Sequence, residues 1–357
     1  MPVHGIDHIE LYVGDAAQAA YYYTHAFGFA ETAYLGLETG RRDRVSHVLE
    51  QGRIRLVVTG TLGGDDEIGE HHKRHGDGVH KIALGVPDAD AAYWHAVAHG
   101  ARGVLTPHRV EDERGRVQLS SVETYGETQH LFVQRDGYGG PFLPGYERRG
   151  EPPKDGLLFG IDHVVGNVEL GHMEEWVSYY ERVFGMTEMV HFSDRDISTE
   201  YSALMSKVVT DGSGRIKFPI NEPAQGSRKS QIEEYLDYYR GAGVQHIAMS
   251  TTDIVRTVSE LRARGVRFLP IPSTYYEEVP ERVGEIEQDL RDLERLGILV
   301  DRDDEGYLLQ IFTKPIGDRP TLFFELIERH GSRGFGFGNF KALFEAIERE
   351  QARRGNL

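Results

Sequence analysis

The chain has 17 histidines and no cysteine. A metal site here must be built from imidazole nitrogens and oxygen donors. Thiolate zinc sites, iron–sulfur clusters, disulfides and a cysteine nucleophile are excluded. Three residues stand out by position, because stretches of the first half return in the second. GIDHIELYV (5–13) returns as GIDHVVGNV (160–168), so His8 matches His163. HGDGVHKIAL (75–84) returns as RGAGVQHIAM (240–249), so Lys81 matches His246. QHLFVQR (129–135) returns as FFELIER (323–329), so Leu131 matches Glu325. The second half thus carries His, His and Glu at repeat-equivalent points. The first carries His, Lys and Leu, which cannot complete a site for a divalent cation. Two imidazoles and one carboxylate leave three positions open on an octahedral iron, the ligand set of non-haem Fe(II) oxygenases. A single strand histidine is more often a core residue than a ligand; it is the coincidence of the three that makes a candidate site.

The repeat also predicts the elements that must carry these residues. After each GIDH strand comes a helical pattern. Tyr22, Tyr23, Ala26 and Phe27 run up to Gly28, and Trp176, Tyr179, Tyr180, Val183 and Phe184 run up to Gly185. A glycine just past the last periodic residue is a stop signal. Asp-started helices are expected over 88–100 and 253–265, both closing on glycine. Strands are expected at 53–60, 215–221 and 306–315. The unit is strand, helix, then several strands, and one unit cannot close a barrel without a neighbour.

The Pro/Gly-bearing segment RRGEPPKDG (148–156) reads as a linker. With 357 residues, two domains are expected, at 1–150 and 157–357. The Gly-rich GSRGFGFGN (331–339) precedes a terminal helix whose Phe340, Leu343, Phe344 and Ile347 share a face. That loop reads as a hinge or lid rather than a phosphate cradle, because no Lys-Ser/Thr follows it. His71, His72 and His75 in EHHKRHGDG read as a solvated charged segment. His8-Ile9-Glu10 resembles the His-x-Asp/Glu pair of jelly-roll oxygenases, but the repeat explains His8 better as a relic.

The net charge of −17 argues against a nucleic-acid partner. No apolar run is long enough to span a membrane, and Met1 to Glu10 lacks a secretory pattern. The expectation is a soluble, cytoplasmic protein.

Longer stretches carry a resemblance. ALMSKVV (203–209), PINEP (219–223), KSQIEEYLDYYRGAGVQHIA (229–248), YLLQIFTKP (307–315), FFELIERHG (323–331) and GFGFGNFKALFEAIEREQ (334–351) closely resemble the 4-hydroxyphenylpyruvate dioxygenase family. HGDGV (75–79) and YGGPFLPGY (138–146) do so in the first half. The resemblance implies an α+β fold of two tandem vicinal oxygen chelate modules, paired βαβββ units forming open barrels, plus a C-terminal helix. It implies a degenerate first module and a catalytic second one. His163, His246 and Glu325 would hold Fe(II). Ser202, Asn221, Gln231, Gln245 and Gln310 would line the substrate pocket. Phe312, Phe323, Phe335 and Phe340 would form its aromatic wall and Asn339 its lid, with Gln310 and Phe340 positioning the substrate. The substrates would be 4-hydroxyphenylpyruvate and O2, giving homogentisate and CO2 by oxidative decarboxylation, ring hydroxylation and side-chain migration in tyrosine catabolism. A homo-oligomer, dimer or tetramer, is expected.

Strand periodicity agrees for two pairs: Gln310 with Phe312, and Phe323 with Glu325. Gln245 and His246 are adjacent and should point oppositely unless a bulge intervenes. Phe337 stands where the family usually has lysine, and 273–290 departs from the family wording, which leaves the outer edge of the pocket open. The alternatives are a hydroxymandelate synthase, which shares substrate and iron, an extradiol dioxygenase, and a metal-free protein that binds a small aromatic molecule. An aromatic residue at Phe340 and the PINEP stretch favour the dioxygenase.

Overall fold

The repeated stretches fold as strands and helices in the predicted order. In this computed structural model, residues 1–192, 203–224 and 229–355 are described. Ser202 lies outside them. The first half runs β1 (Gly5–Tyr12), α1 (Ala16–Tyr22), β2 (Ala30–Leu35), β3 (Arg44–Gln51), β4 (Ile54–Thr61), α2 (Glu67–His75), β5 (Gly78–Gly85), α3 (Ala89–Ala98), β6 (Gly103–Asp112), β7 (Gly115–Glu123), β8 (Gln129–Gln134) and β9 (Glu147–Arg148). The second runs β10 (Gly160–Asn167), α4 (Met173–Phe184), β11 (Thr187–Phe192), β12 (Ala203–Thr210), β13 (Lys217–Ala224), α5 (Gln231–Tyr239), β14 (Gly243–Ser250) and α6 (Ile254–Ala263). It continues through α7 (Thr274–Glu277), α8 (Val279–Val283), α9 (Leu290–Leu296), β15 (Leu299–Arg302), β16 (Tyr307–Phe312), β17 (Phe323–His330) and α10 (Phe340–Arg354). Each half is therefore two βαβββ units, joined by α2 in one and by α5 in the other.

The helix ends follow from local chemistry. Asp88 and Asp253 accept from Ala91 N and Arg256 N, capping α3 and α6 as expected. Gly185 closes α4 with φ 69°, in the left-handed region glycine favours. The first helix differs from expectation in its last turn: Tyr23–Phe27 is wound as a π-turn before Gly28.

Among the described residues the strands form two curled sheets. One has the order β6-β7-β8-β5-β1-β4-β3-β2-β9, the other β11-β12-β13-β10-β14-β17-β16-β15. The registers repeat. His8 pairs with Ala83 and Ala83 with Leu131; His163 pairs with Ala248 and Ala248 with Glu325. The ladder skips one residue at Asp7, His80, Asp162 and Gln245, giving equivalent bulges in both halves.

The halves share one core. Each lays a helix on the other's sheet. Tyr23 and Phe27 meet Phe324 of β17, with ring centroids 5.8 and 5.2 Å apart. Reciprocally, Tyr180 of α4 donates its hydroxyl to His130 Nε2 of β8 at 2.8 Å. Buried Gln51 joins the connection between halves, donating to Phe27 O and accepting from Leu158 N at 3.0 and 2.9 Å. Terminal α10 packs over the second sheet and is tied down by the ion pairs Lys314–Glu350 and Arg354–Glu234. None of the described helices is long and apolar enough to cross a membrane.

His130 makes stability depend on pH. It is fully buried, and burial pushes its pKa from 6.5 down to about 4. The unfolded chain binds this proton below 6.5, while the folded chain resists it until about 4. Stability therefore falls as pH drops through that window, by about 1.4 kcal/mol per unit from this residue. In urea titrations between pH 7 and 4, His130→Asn is expected to flatten the slope. Equal slopes for variant and wild type would refute this.

Candidate metal centre

His163, His246 and Glu325 stand on β10, β14 and β17, which are adjacent in the second sheet. His163, Ala248 and Glu325 form one row across it. His246 is two residues from Ala248, so its side chain leaves the same face. All three are buried, and one ligand atom from each lies within 4.8 Å of the others. Glu325 Oε2 is 3.1 Å from His163 Nε2 and 3.3 Å from His246 Nε2.

The opposite ring nitrogens define what those Nε2 atoms are. His163 Nδ1 lies 2.8 Å from Asp162 Oδ1, and His246 Nδ1 lies 3.0 Å from Gln245 Oε1. Both partners are acceptors, so both Nδ1 atoms donate, and in the neutral rings both Nε2 atoms are lone pairs. Three acceptors then converge on one point. That donor set fits a divalent cation such as iron, and the backing carboxylate and amide are the usual means of orienting ligating imidazoles. Burial would raise Glu325, but His163 and His246 hold it down to about 2. Burial lowers His163 as well, yet Glu325 and Asp162 outweigh it and push the ring up. His246 is pushed down by burial.

Asp162 is itself fixed. Arg329 donates to it through Nε and Nη2 at 2.8 and 2.9 Å, and Lys217 Nζ lies 3.0 Å away. Burial would raise Asp162, but Arg329 and His163 hold it well below the carboxylate range. The first half keeps this support without two of the three ligands. Asp7 binds Arg135 at 2.8 and 2.9 Å and His8 at 2.6 Å, as their repeat partners do. Lys81, however, sits where the second half has His246. It pairs with Glu10 at 2.7 Å, so a resident ammonium neutralises that carboxylate.

The His163–His246–Glu325 cluster opens into a cavity of about 60 Å³. The structure brings Asn221, Gln231, Gln245, Gln310, Phe312, Phe323, Phe335 and Phe340 to its wall alongside the three cluster residues. The bulge at Gln245 puts that residue and His246 on the wall together. Phe323 stacks on His246 with centroids 4.7 Å apart, and Phe335 meets His163 edge-on at 5.1 Å. Lys217 and Arg329 lie over the Phe335 ring at 5.7 and 5.8 Å.

Asn339 is one layer back. Its Nδ2 donates to Gln310 Oε1 at 3.0 Å, and Gln310 Nε2 donates to Glu325 Oε1 at 3.3 Å. The unfamiliar 273–290 segment buttresses this relay. Tyr275 donates its hydroxyl to Asn339 Oδ1 at 2.5 Å and accepts from Arg282 Nη2 at 2.9 Å. Gly336 is required here: at φ 73° a Cβ would lie 1.8 Å from Gln310 Oε1. Phe337 is exposed, away from the cluster.

Sequence reading missed Ser206, Val208, Leu343 and Phe344 as lining residues. Ser206 pairs with Asn221 across β12 and β13, so correct register would have placed both on one face. It also missed Asp162 and Arg329. The signal was present, since Asp7 and Arg135 stand at the same repeat positions. The segment around His71 is a correction. His71 and His75 are buried rather than solvated, because the inner face of α2 packs on Tyr12 and Tyr239.

Comparison with known proteins agrees with this architecture. The model of the Glyoxalase/Bleomycin resistance protein/Dioxygenase superfamily matches residues 5–128 and 160–311. The chain is 50% identical to a 4-hydroxyphenylpyruvate dioxygenase from Dictyostelium discoideum, over 99% of this chain and 100% of that one. It is 47% identical to the enzyme of that name from Aspergillus fumigatus, over 99% and 94%. A triple-substituted 4-hydroxymandelate synthase from Streptomyces coelicolor superposes with a TM-score of 0.90 at 34% identity, over 98% and 100%. The chain belongs to the glyoxalase/bleomycin resistance protein/dioxygenase superfamily and, within it, to the 4-hydroxyphenylpyruvate dioxygenase family.

Proposed function

We propose that this chain is an Fe(II)-dependent dioxygenase that converts 4-hydroxyphenylpyruvate and O2 into homogentisate and CO2. The observation that carries the reading is the three-acceptor cluster opening into an aromatic-walled cavity, in a chain about half identical to dioxygenases of that name. His163, His246 and Glu325 would hold the iron. The chemistry Fe(II) supplies when bound is chelation of the 2-oxo acid and activation of O2 beside it.

The remaining work falls to the protein. Phe335 and Phe340 hold the substrate ring, and Phe312 and Phe323 close the wall behind it. Asn221, Gln231, Gln245 and Gln310 present amide groups to its polar ends, and Ser202 joins them on the family resemblance. Asn339 acts through Gln310. α10 covers the cavity with Phe340, Leu343 and Phe344, which keeps water from the reacting centre. Residues 157–357 form the catalytic module and 1–150 a degenerate one that serves as scaffold. The assembly is a cytoplasmic homo-oligomer. These last assignments rest on the family resemblance and the repeat.

The decisive experiment loads the protein anaerobically with Fe(II), adds 4-hydroxyphenylpyruvate, admits oxygen and identifies the aromatic product. Homogentisate is expected. Hydroxymandelate would move the oxidation to the benzylic carbon, as in the synthase that superposes on this chain. Bound iron without turnover would overturn the substrate, and absence of bound iron would overturn the site. Glu325→Ala is expected to lose the iron of the cavity site and to reduce product to background. Asp162→Asn keeps the shape but loses the charge that backs His163. Its affinity for Fe(II) is expected to fall about 10- to 100-fold, with turnover recovering in excess metal. An unchanged Fe(II) titration would remove Asp162 from that role.

A further inference from the structure

A second histidine–carboxylate cluster lies outside the cavity. His71 and His75 are one turn apart on α2, so both rings leave the same face. That face is packed inward, and both residues are 2% exposed. Glu127 reaches them from the turn between β7 and β8. One ligand atom from each of the three lies within 4.8 Å of the others. Glu127 Oε2 is 3.1 Å from His75 Nε2 and 3.4 Å from His71 Nδ1. Its other oxygen is held by Arg74 at 2.7 Å.

These rings are not satisfied by what surrounds them. Neither nitrogen of His71 nor His75 Nε2 has an aligned hydrogen-bond partner among the described residues. The second nitrogen of His75 is committed, because Nδ1 donates to the carbonyl of Tyr239. In the neutral ring that leaves Nε2 as a lone pair facing a carboxylate oxygen. Two acceptors so close need a cation between them. An Nδ1–H held by a backbone carbonyl is the arrangement that orients a ligating imidazole.

We infer that His71, His75 and Glu127 form a second metal site, for a zinc-like divalent cation. Two imidazoles, one carboxylate and a water on the side where Glu127 is 39% exposed complete a tetrahedral set. The site lies where α2 meets the end of α5. Gln231 at the start of α5 lines the cavity, and Tyr239 at its end receives His75. A cation there anchors α5 from the end away from the cavity, so its role is structural.

The test is metal stoichiometry. Chelator-stripped protein is equilibrated with micromolar Co2+ or Zn2+, and bound metal is counted by mass spectrometry alongside the visible Co2+ spectrum. Wild type is expected to bind two equivalents. Glu325→Ala retains one, with a tetrahedral Co2+ band, and Glu325→Ala/Glu127→Gln retains none. Added Zn2+ raises the melting temperature of Glu325→Ala and leaves that of the double variant unmoved. His71→Asn in the Glu325→Ala background gives the same loss through a different ligand. No metal in Glu325→Ala, or one equivalent persisting in the double variant, overturns the second site. Failure of the cavity site shows separately, as metal unchanged between wild type and Glu325→Ala.

Discussion

The convergence of His163 Nε2, His246 Nε2 and Glu325 Oε2 is the constraint on which the rest of the second half depends. Three electron-pair donors within 4.8 Å do not hold one another in place. The sheet holds them, through adjacent strands whose register puts all three on one face. Each imidazole is then turned by an acceptor at its far nitrogen: Asp162 for His163 and Gln245 for His246. Both acceptors sit at β-bulges, so an irregularity in the ladder places a ligand and its support side by side. The half-buried Arg329–Asp162 pair then fixes one support as a charge.

The repeat separates scaffold from chemistry. Both halves keep the bulges, the histidine after the aspartate, and the arginine that binds that aspartate. They differ at the other two ligand positions. Lys81 brings its own positive charge to Glu10, which removes the need for an external cation. The same physical problem, a buried carboxylate, is met by a resident ammonium in one half. In the other it is left to two imidazoles and whatever cation they gather. Because α1 and α4 each rest on the opposite sheet, the first half also forms part of the core under the second.

The wall of the cavity is assembled from the end of the chain. The turn at Phe337–Asn339 sets Asn339 behind Gln310, and α10 follows it across the opening. Tyr275 and Arg282 secure that turn from a segment with no counterpart in the first half. A support of this kind can vary in wording, because only its hydroxyl and guanidinium reach the relay.

By itself the sequence determined the repeated strand–helix order, the two histidines and the carboxylate, the aromatic character of the pocket and the terminal helix. The strand–helix order, the ligand triad and the terminal helix are written in periodicity or in residue identity at repeat-equivalent positions, and the aromatic wall in the family resemblance. Tertiary structure decided what local pattern cannot encode. The ladder shift at Gln245 arises from pairing with β10, so the period-two rule alone left its direction open. Ser206 reaches the cavity only through its register with Asn221. His71 and His75 look like part of a charged, solvated stretch. Their burial depends on Tyr12 and Glu127, which are distant in sequence within the same half, and on Tyr239, which meets them only when the halves pack together.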